Sequence, residues 1–154
     1  MDIVELLTAD AVLLRAGVSS KRQALHDLSA TAAALFGAAD DRVFDALMER
    51  EALGSTGLGA GVAVPHARVE GLQRVCGVFM RLDQPVAWAS VDERPVDILF
   101  ALFAPPRDGA EHLRALAAVS RFLRSPERRE ALRAAQSADQ ILALLVDGAE
   151  ARAA

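Results

Sequence analysis

The stretch GLGAGVAVPHAR, residues 57–68, decides how the chain is read. Glycines at 57, 59 and 61 alternate with small residues, an apolar run follows, and Pro65 closes it with His66 directly behind. Proline lacks a backbone N–H and keeps the preceding Val64 extended. Residues 60–65 therefore read as a small-residue strand that Pro65 stops, with His66 just beyond its end. In open α/β sheets that rim is where ligands bind. Glycines 57, 59 and 61 would let a partner or a phosphate approach the backbone closely.

On the N-terminal side, MDIVELLTAD reads as a short helical turn and AVLLRAG (11–17) as a short strand closed by Gly17. Ser19 or Ser20 is an N-cap candidate for a helix over 19–36, whose Ala24, Leu25, Leu28, Ala32 and Leu35 share one face. Gly37 ends it. Asp40 or Asp41 is expected to cap a second helix, with Val43, Phe44, Leu47 and Met48 inward, ending near Leu53-Gly54.

On the C-terminal side, VCGVFMRL (75–82) and VDILFALFA (96–104) read as strands, the latter without polar alternation and so buried on both faces. DQPVAWASVDERP between them reads as a loop with room for a short strand at VAWA. After the turn PPRDG (105–109), Leu113, Leu116, Ala117, Val119, Ser120, Phe122 and Leu123 form the apolar face of a helix. SPERREALRAA has a capping serine and Pro126 at the first helical position. SADQILALLVDG has Ser137 as cap, Gln140 in a capping-box arrangement and Gly148 as terminator. Helices, then strands, then helices imply one α/β domain over 1–148, a mixed β-sheet flanked by helices, with 149–154 as a frayed tail.

The 154 residues suffice for one sizeable core, and 53% apolar content excludes disorder. A net charge of −4 argues against a nucleic-acid binder. The sole cysteine, Cys76, cannot form an internal disulfide and fits a reducing cytoplasm. No leader pattern is evident and no apolar run approaches the ~18 residues of a membrane span, so membrane insertion is not expected.

A free imidazole has a pKa of about 6.5, so His66 is expected to be neutral and nucleophilic at pH 7. It can accept a phosphoryl group on one nitrogen while the other donates the hydrogen bond that aims the ring. Arg68, two residues on, shares its face if the chain stays extended, and a guanidinium can hold two phosphoryl oxygens. Phosphoryl transfer asks mainly for positioning and charge neutralisation. His112 follows PPRDGAE and so falls in the first turn of a helix, where free N–H groups favour anions. His26 has no such context.

Histidines after strands are commonly structural, and the sequence gives little support to rival chemistries. No H-x-H or H-E-x-x-H pair supports a metal site. GLGAG precedes a strand, whereas a dinucleotide loop needs a following helix, and no phosphate-binding G-x-x-x-x-G-K-[ST] exists. Ser55 lies in no G-x-S-x-G elbow. Cys76 reads as a buried small apolar residue, Trp88 as packing, and Glu127 to Glu130 as a solvated face. No cofactor is expected.

The segment REALGSTGLGAGVAVPHAR (50–68) closely resembles the active-site segment of the enzyme IIA proteins of the phosphoenolpyruvate-dependent phosphotransferase system, fructose/mannitol class. The likeness continues from Gly77 to Ile141 and looks most like the nitrogen-regulatory branch, IIA-Ntr. It spans roughly residues 1–147 and rests on GSTG, PHAR, PVD and EHL taken together. The resemblance implies that His66 is the phosphorylated histidine, charged by a small phosphocarrier of the HPr type. It implies that His112 supports the phosphate, that Arg50 lies beside the phosphohistidine, and that Ser55 and Thr56 line the pocket. Arg68 stands where the regulatory branch often has lysine, and Ala67 where many relatives have glycine. Leu58, Ala60 and Val69 suit a shallow docking surface.

Two outcomes follow. The resemblance implies a regulatory IIA protein whose phosphorylation state selects its targets, such as a transporter or sensor kinase; the alternative it leaves is a sugar-transport component that passes phosphate to a IIB partner. A phosphohistidine adds charge at a docking surface and so can switch partners.

Overall fold

The computed structural model describes the backbone of residues 2–153 and the side chains of residues 2–146. Two 3-10 turns, Ile3–Leu6 and Ala9–Ala11, lead into strand β1 (Val12–Arg15) and helices α1 (Lys21–Phe36) and α2 (Asp40–Leu53). Five strands follow: β2 (Gly57–Gly59), β3 (Val62–Ala63), β4 (His66–Arg68), β5 (Cys76–Val86) and β6 (Val96–Ala104). Helices α3 (Ala110–Leu123), α4 (Pro126–Ala134) and α5 (Ala138–Ala153) complete the chain.

The six strands form one mixed sheet in the order β1-β5-β6-β3-β2, with β4 also on β6. β5 and β6 are antiparallel, while β1 runs parallel to β5, and β3 and β4 parallel to β6. β6 is the axis, as its uninterrupted apolar sequence requires; every residue but Asp97 is buried. Its side chains alternate between two cores. Leu99, Ala101 and Phe103 pack with α1 and α2, whereas Ile98, Phe100 and Leu102 pack with α3, α4 and α5. Each large apolar side chain so buried contributes about 1.5–3 kcal/mol of transfer free energy.

Helix ends follow their sequence signals, with two exceptions. Ser20, Ser125 and Ser137 accept from the backbone N–H of Gln23, Arg128 and Gln140, and Gly37 closes α1 in the left-handed conformation. Asp40 and Asp41 do not cap α2; Ala39 holds the N-cap position, and the two carboxylates lie in the first turn, where the helix dipole favours them. Gly148 does not end α5, which continues to Ala153, since glycine inside a helix costs only about 1 kcal/mol. The frayed tail expected over 149–154 falls on residues whose side chains lie outside those described.

The face expected for α3 is rotated. His112, Ala115, Ala118, Val119, Phe122 and Leu123 are buried, whereas Leu113 is 65% exposed. Placing His112 inward turns Leu113, the next residue, about 100° away to solvent.

The largest departure lies in residues 57–68. Instead of one strand, they form a β2–β3 hairpin, a break at Pro65 and a resumed strand, β4. Pro65 removes a donor, but its carbonyl still accepts from Leu102 N at 2.9 Å, so pairing with β6 survives. His66 therefore sits within a paired strand, opposite Leu102, rather than beyond a strand end. The hairpin turn holds Gly59, Ala60 and Gly61 all at positive φ. The space the glycines leave is taken by the protein itself, not offered to a partner: Ser90 abuts Gly57, Asp92 abuts Gly59 and Arg133 abuts Gly61.

Candidate active site

His66 and Arg68 point to the same side of β4, with Ala67 buried between them, as an extended chain dictates. The last turn of α2 brings Arg50 to one side of His66, and the first turn of α3 brings His112 to the other. These four residues line one open cavity of about 340 Å³, with Leu53 and Glu49 at its α2 side. The two imidazoles lie 5.7 Å apart, centroid to centroid, tilted by 57°.

His66 is half-buried and both its nitrogens are engaged. Nδ1 lies 2.8 Å from the Val64 carbonyl, which can only accept, so Nδ1 carries the proton. Nε2 is left with its lone pair and accepts from Arg50 Nε at 3.2 Å. Arg50 is anchored in turn by donating to the Gly54 carbonyl at 2.7 Å. Burial depresses the His66 pKa below its ordinary value; the Val64 hydrogen bond opposes it in part, the Arg50 cation adds to the lowering, and Glu51 pulls weakly upward. The ring is thus neutral, its tautomer set by the backbone, and Nε2 is the nitrogen that can act as a nucleophile.

His112 is 5% exposed, and its Nδ1 has no hydrogen-bond partner among the described residues. Burial, then His66 and Arg68, push its pKa down to about 4, with Asp108 pulling weakly the other way. The helix start is not an open ring of N–H donors. Asp108 Oδ1 accepts from Glu111 N at 3.0 Å and His112 N at 3.3 Å, so an internal carboxylate occupies the positive end of α3. Arg68 also serves this turn, donating to the carbonyls of Pro105, at 3.3 Å, and Asp108.

Ser55 and Thr56 do not line the cavity. Ser55 Oγ donates to the Trp88 carbonyl at 3.0 Å and accepts from Gly57 N at 3.1 Å. Thr56 is buried, its hydroxyl and backbone N–H both donating to the Glu51 carboxylate. Glu51, which the sequence did not single out, also pairs with Lys21 at 2.7 Å. The family resemblance implies a pocket role for Ser55 and Thr56; what marks Glu51 instead is a carboxylate directly after Arg50 and five residues before a threonine. Of the expected docking residues, Leu58 is exposed and Ala60 partly so, but Val69 is only 3% exposed, because it follows β4 into the core. Cys76 is buried in β5, which pushes its thiol pKa up to about 12, and Trp88 is 1% exposed. Among the described residues, no helix is long and apolar enough to cross a membrane.

The profile of the phosphoenolpyruvate-dependent sugar phosphotransferase system, EIIA 2, matches residues 5–148. A nitrogen regulatory protein of Bradyrhizobium diazoefficiens is 43% identical over 145 residues, covering 94% of this chain and 95% of that protein. The crystal structure of nitrogen regulatory protein IIA-Ntr from Neisseria meningitidis superposes with a TM-score of 0.87 at 34% identity, covering 93% of this chain and 98% of that one. An Escherichia coli PTS system 2-O-alpha-mannosyl-D-glycerate-specific EIIABC component is 32% identical over 150 residues, which cover 96% of this chain and 23% of that protein. The chain belongs to the EIIA 2 family of the phosphotransferase system, and its similarity runs to the nitrogen regulatory IIA proteins.

Proposed function

We propose that the chain accepts a phosphoryl group on His66 Nε2 from an HPr-like phosphocarrier and signals through the phosphorylated state. The observation that carries this reading is the pair of contacts on His66: a backbone carbonyl fixing Nδ1–H and a guanidinium marking the Nε2 lone pair. The Nε2 lone pair attacks the phosphorus of the carrier's phosphohistidine. A new N–P bond forms, the carrier's N–P bond breaks, and the departing nitrogen keeps the electron pair and takes a proton from solvent. His66 holds its Nδ1–H on Val64 throughout. Arg50 Nε now lies where phosphorus must arrive, so the guanidinium slides onto the phosphoryl oxygens while Gly54 retains its far end.

His112, neutral at rest, puts no positive charge beside the attacking ring. Once a phosphoryl dianion arrives, its field raises the His112 pKa and favours an N–H donated to a phosphoryl oxygen. Arg68 adds positive charge from the same face as His66. Ser55 and Thr56 act behind this layer, through the loop they hold. The reading places the protein in the cytoplasm, with regulatory targets such as a transporter or sensor kinase.

Similarity to an EIIABC component favours a second reading, in which the phosphoryl group passes onward to a IIB partner. The test is incubation with phosphoenolpyruvate, enzyme I and a phosphocarrier. A mass gain of one phosphoryl group on the wild type and none on His66→Ala supports acceptance; equal labelling of the variant overturns it. Discharge to an added IIB domain separates the transport reading from the regulatory one.

A further inference from the structure

We propose that Glu51 is a positioning residue for this reaction: its buried carboxylate, clasped by Lys21 and Thr56, fixes the turn whose Gly54 carbonyl aims Arg50 at His66. The inference rests on the reading of His66 as phosphoryl acceptor.

Arg50 and Glu51 are consecutive on α2, so their side chains diverge by about 100° around the axis. Arg50 looks into the cavity, whereas Glu51 looks inward and does not line it. The Glu51 side chain is 6% exposed yet has three donors: Lys21 Nζ at 2.7 Å, Thr56 N at 3.2 Å and the Thr56 hydroxyl. Lys21 is itself tied down, donating to the Trp88 carbonyl at 3.2 Å and lying 4.9 Å from the Trp88 ring centroid. Glu51 therefore holds both ends of the turn that leaves α2. Its backbone carbonyl accepts from Gly54 N at 3.2 Å and its carboxylate binds Thr56. Gly54, held between, presents the carbonyl that receives Arg50.

An arginine side chain carries about 2 kcal/mol of rotamer freedom, so where its far end is pinned decides where its Nε points. A buried carboxylate with three donors is a stiff anchor, because leaving any donor unpaired in the interior is costly. Glu51 also pulls the His66 pKa upward. The charged and titratable groups around His66 are Glu49, Arg50 and Glu51 from α2, Arg68 from β4 and His112 from α3.

The experiment is single-turnover transfer from a phosphorylated HPr-type carrier to the full chain. Glu51→Gln is expected to slow transfer at saturating carrier by about tenfold, with the half-saturating carrier concentration changed by less than about twofold. In an Arg50→Ala background the same substitution slows transfer no further, because Glu51 acts through Arg50. The His66 ring, followed by NMR titration, has a lower pKa in Glu51→Gln than in the wild type. Thr56→Val reproduces the slowing, and Thr56→Ser, which keeps the hydroxyl, recovers most of it. A folded Glu51→Gln with the wild-type rate, or additive losses with Arg50→Ala, overturns the proposal. Should Glu51→Gln not fold, equal rates for Thr56→Val and Thr56→Ser overturn it. Labelling of His66→Ala would instead overturn the acceptor reading beneath it, which keeps the two failures distinct.

Discussion

At one end of the His66 cavity, helix α2 delivers Arg50 from its last turn; at the other, helix α3 delivers His112 from its first. The α2 end is held by charge. Arg50 bonds His66 and Gly54, and behind it Glu51 and Lys21 form a pair whose carboxylate is buried. The α3 end is held by backbone geometry. Asp108 caps two N–H groups, Arg68 binds two carbonyls, and His112 sits nearly sealed with one nitrogen unpartnered. In the proposed transfer, a phosphoryl group arriving between them would meet a cation ready on one side and a neutral ring that must become a donor on the other. On the proposed function, the α2 end contributes most to the rate of transfer, while the α3 end contributes less to the rate and also to how the product is kept.

Substitutions that strike each end can break this contrast. Arg50→Ala should cost the most after His66 itself, about 10²-fold in single-turnover transfer, comparable with losing one preorganised donor to developing charge. A loss no larger than that of His112→Ala would dissolve the distinction. His112→Ala should slow transfer by about tenfold, the worth of one hydrogen bond to a charged group, and should shorten the lifetime of the phosphorylated form.

His112 also has a pH signature. Its folded pKa of about 4 lies below the ordinary imidazole value, so between about pH 6.5 and 4 the unfolded chain binds more protons at this site. The stability it contributes is present above pH 6.5 and is lost as pH falls through that window. His112→Asn should unfold with a weaker pH dependence between 6.5 and 5 in urea titrations; an unchanged slope would place His112 in water rather than in the core. Arg68→Ala should have the smallest effect, about two- to fivefold on transfer, as expected of an exposed charge. Identical rates would make Arg68 a tie for the 105–109 turn and nothing more.

Where signals were local and redundant, the sequence was easy to read. Ser20, Gly37, Ser125, Pro126 and Ser137 punctuate helices by short-range hydrogen bonds, and the unbroken apolar run of β6 admits only a doubly buried strand. The histidines of the cavity could be chosen because their flanks, Pro65 and the PPRDG turn, restrict the backbone. Four of the chosen residues, Arg50, His66, Arg68 and His112, converge on one cavity, and Ser55 and Thr56 lie outside it. What stayed hidden depended on distant partners. The division of 57–68 into three strands requires β6 alongside. Glu51 gains its place only when Lys21 and Thr56 meet it, and Leu113 turns to water only because His112 takes the inward position.

The Val64 carbonyl that receives the His66 Nδ1–H is two residues away in the same segment, and β6 holds that segment through Pro65 and Leu102. Neither α2 nor α3 takes part in the contact. A partner that tugs either helix on docking can thus rearrange the charges around the ring, yet the ring still offers the same nitrogen. On the proposed function, reactivity would be adjustable while the point of attachment stays fixed, so one surface could receive different visitors with the phosphoryl group always on the same nitrogen.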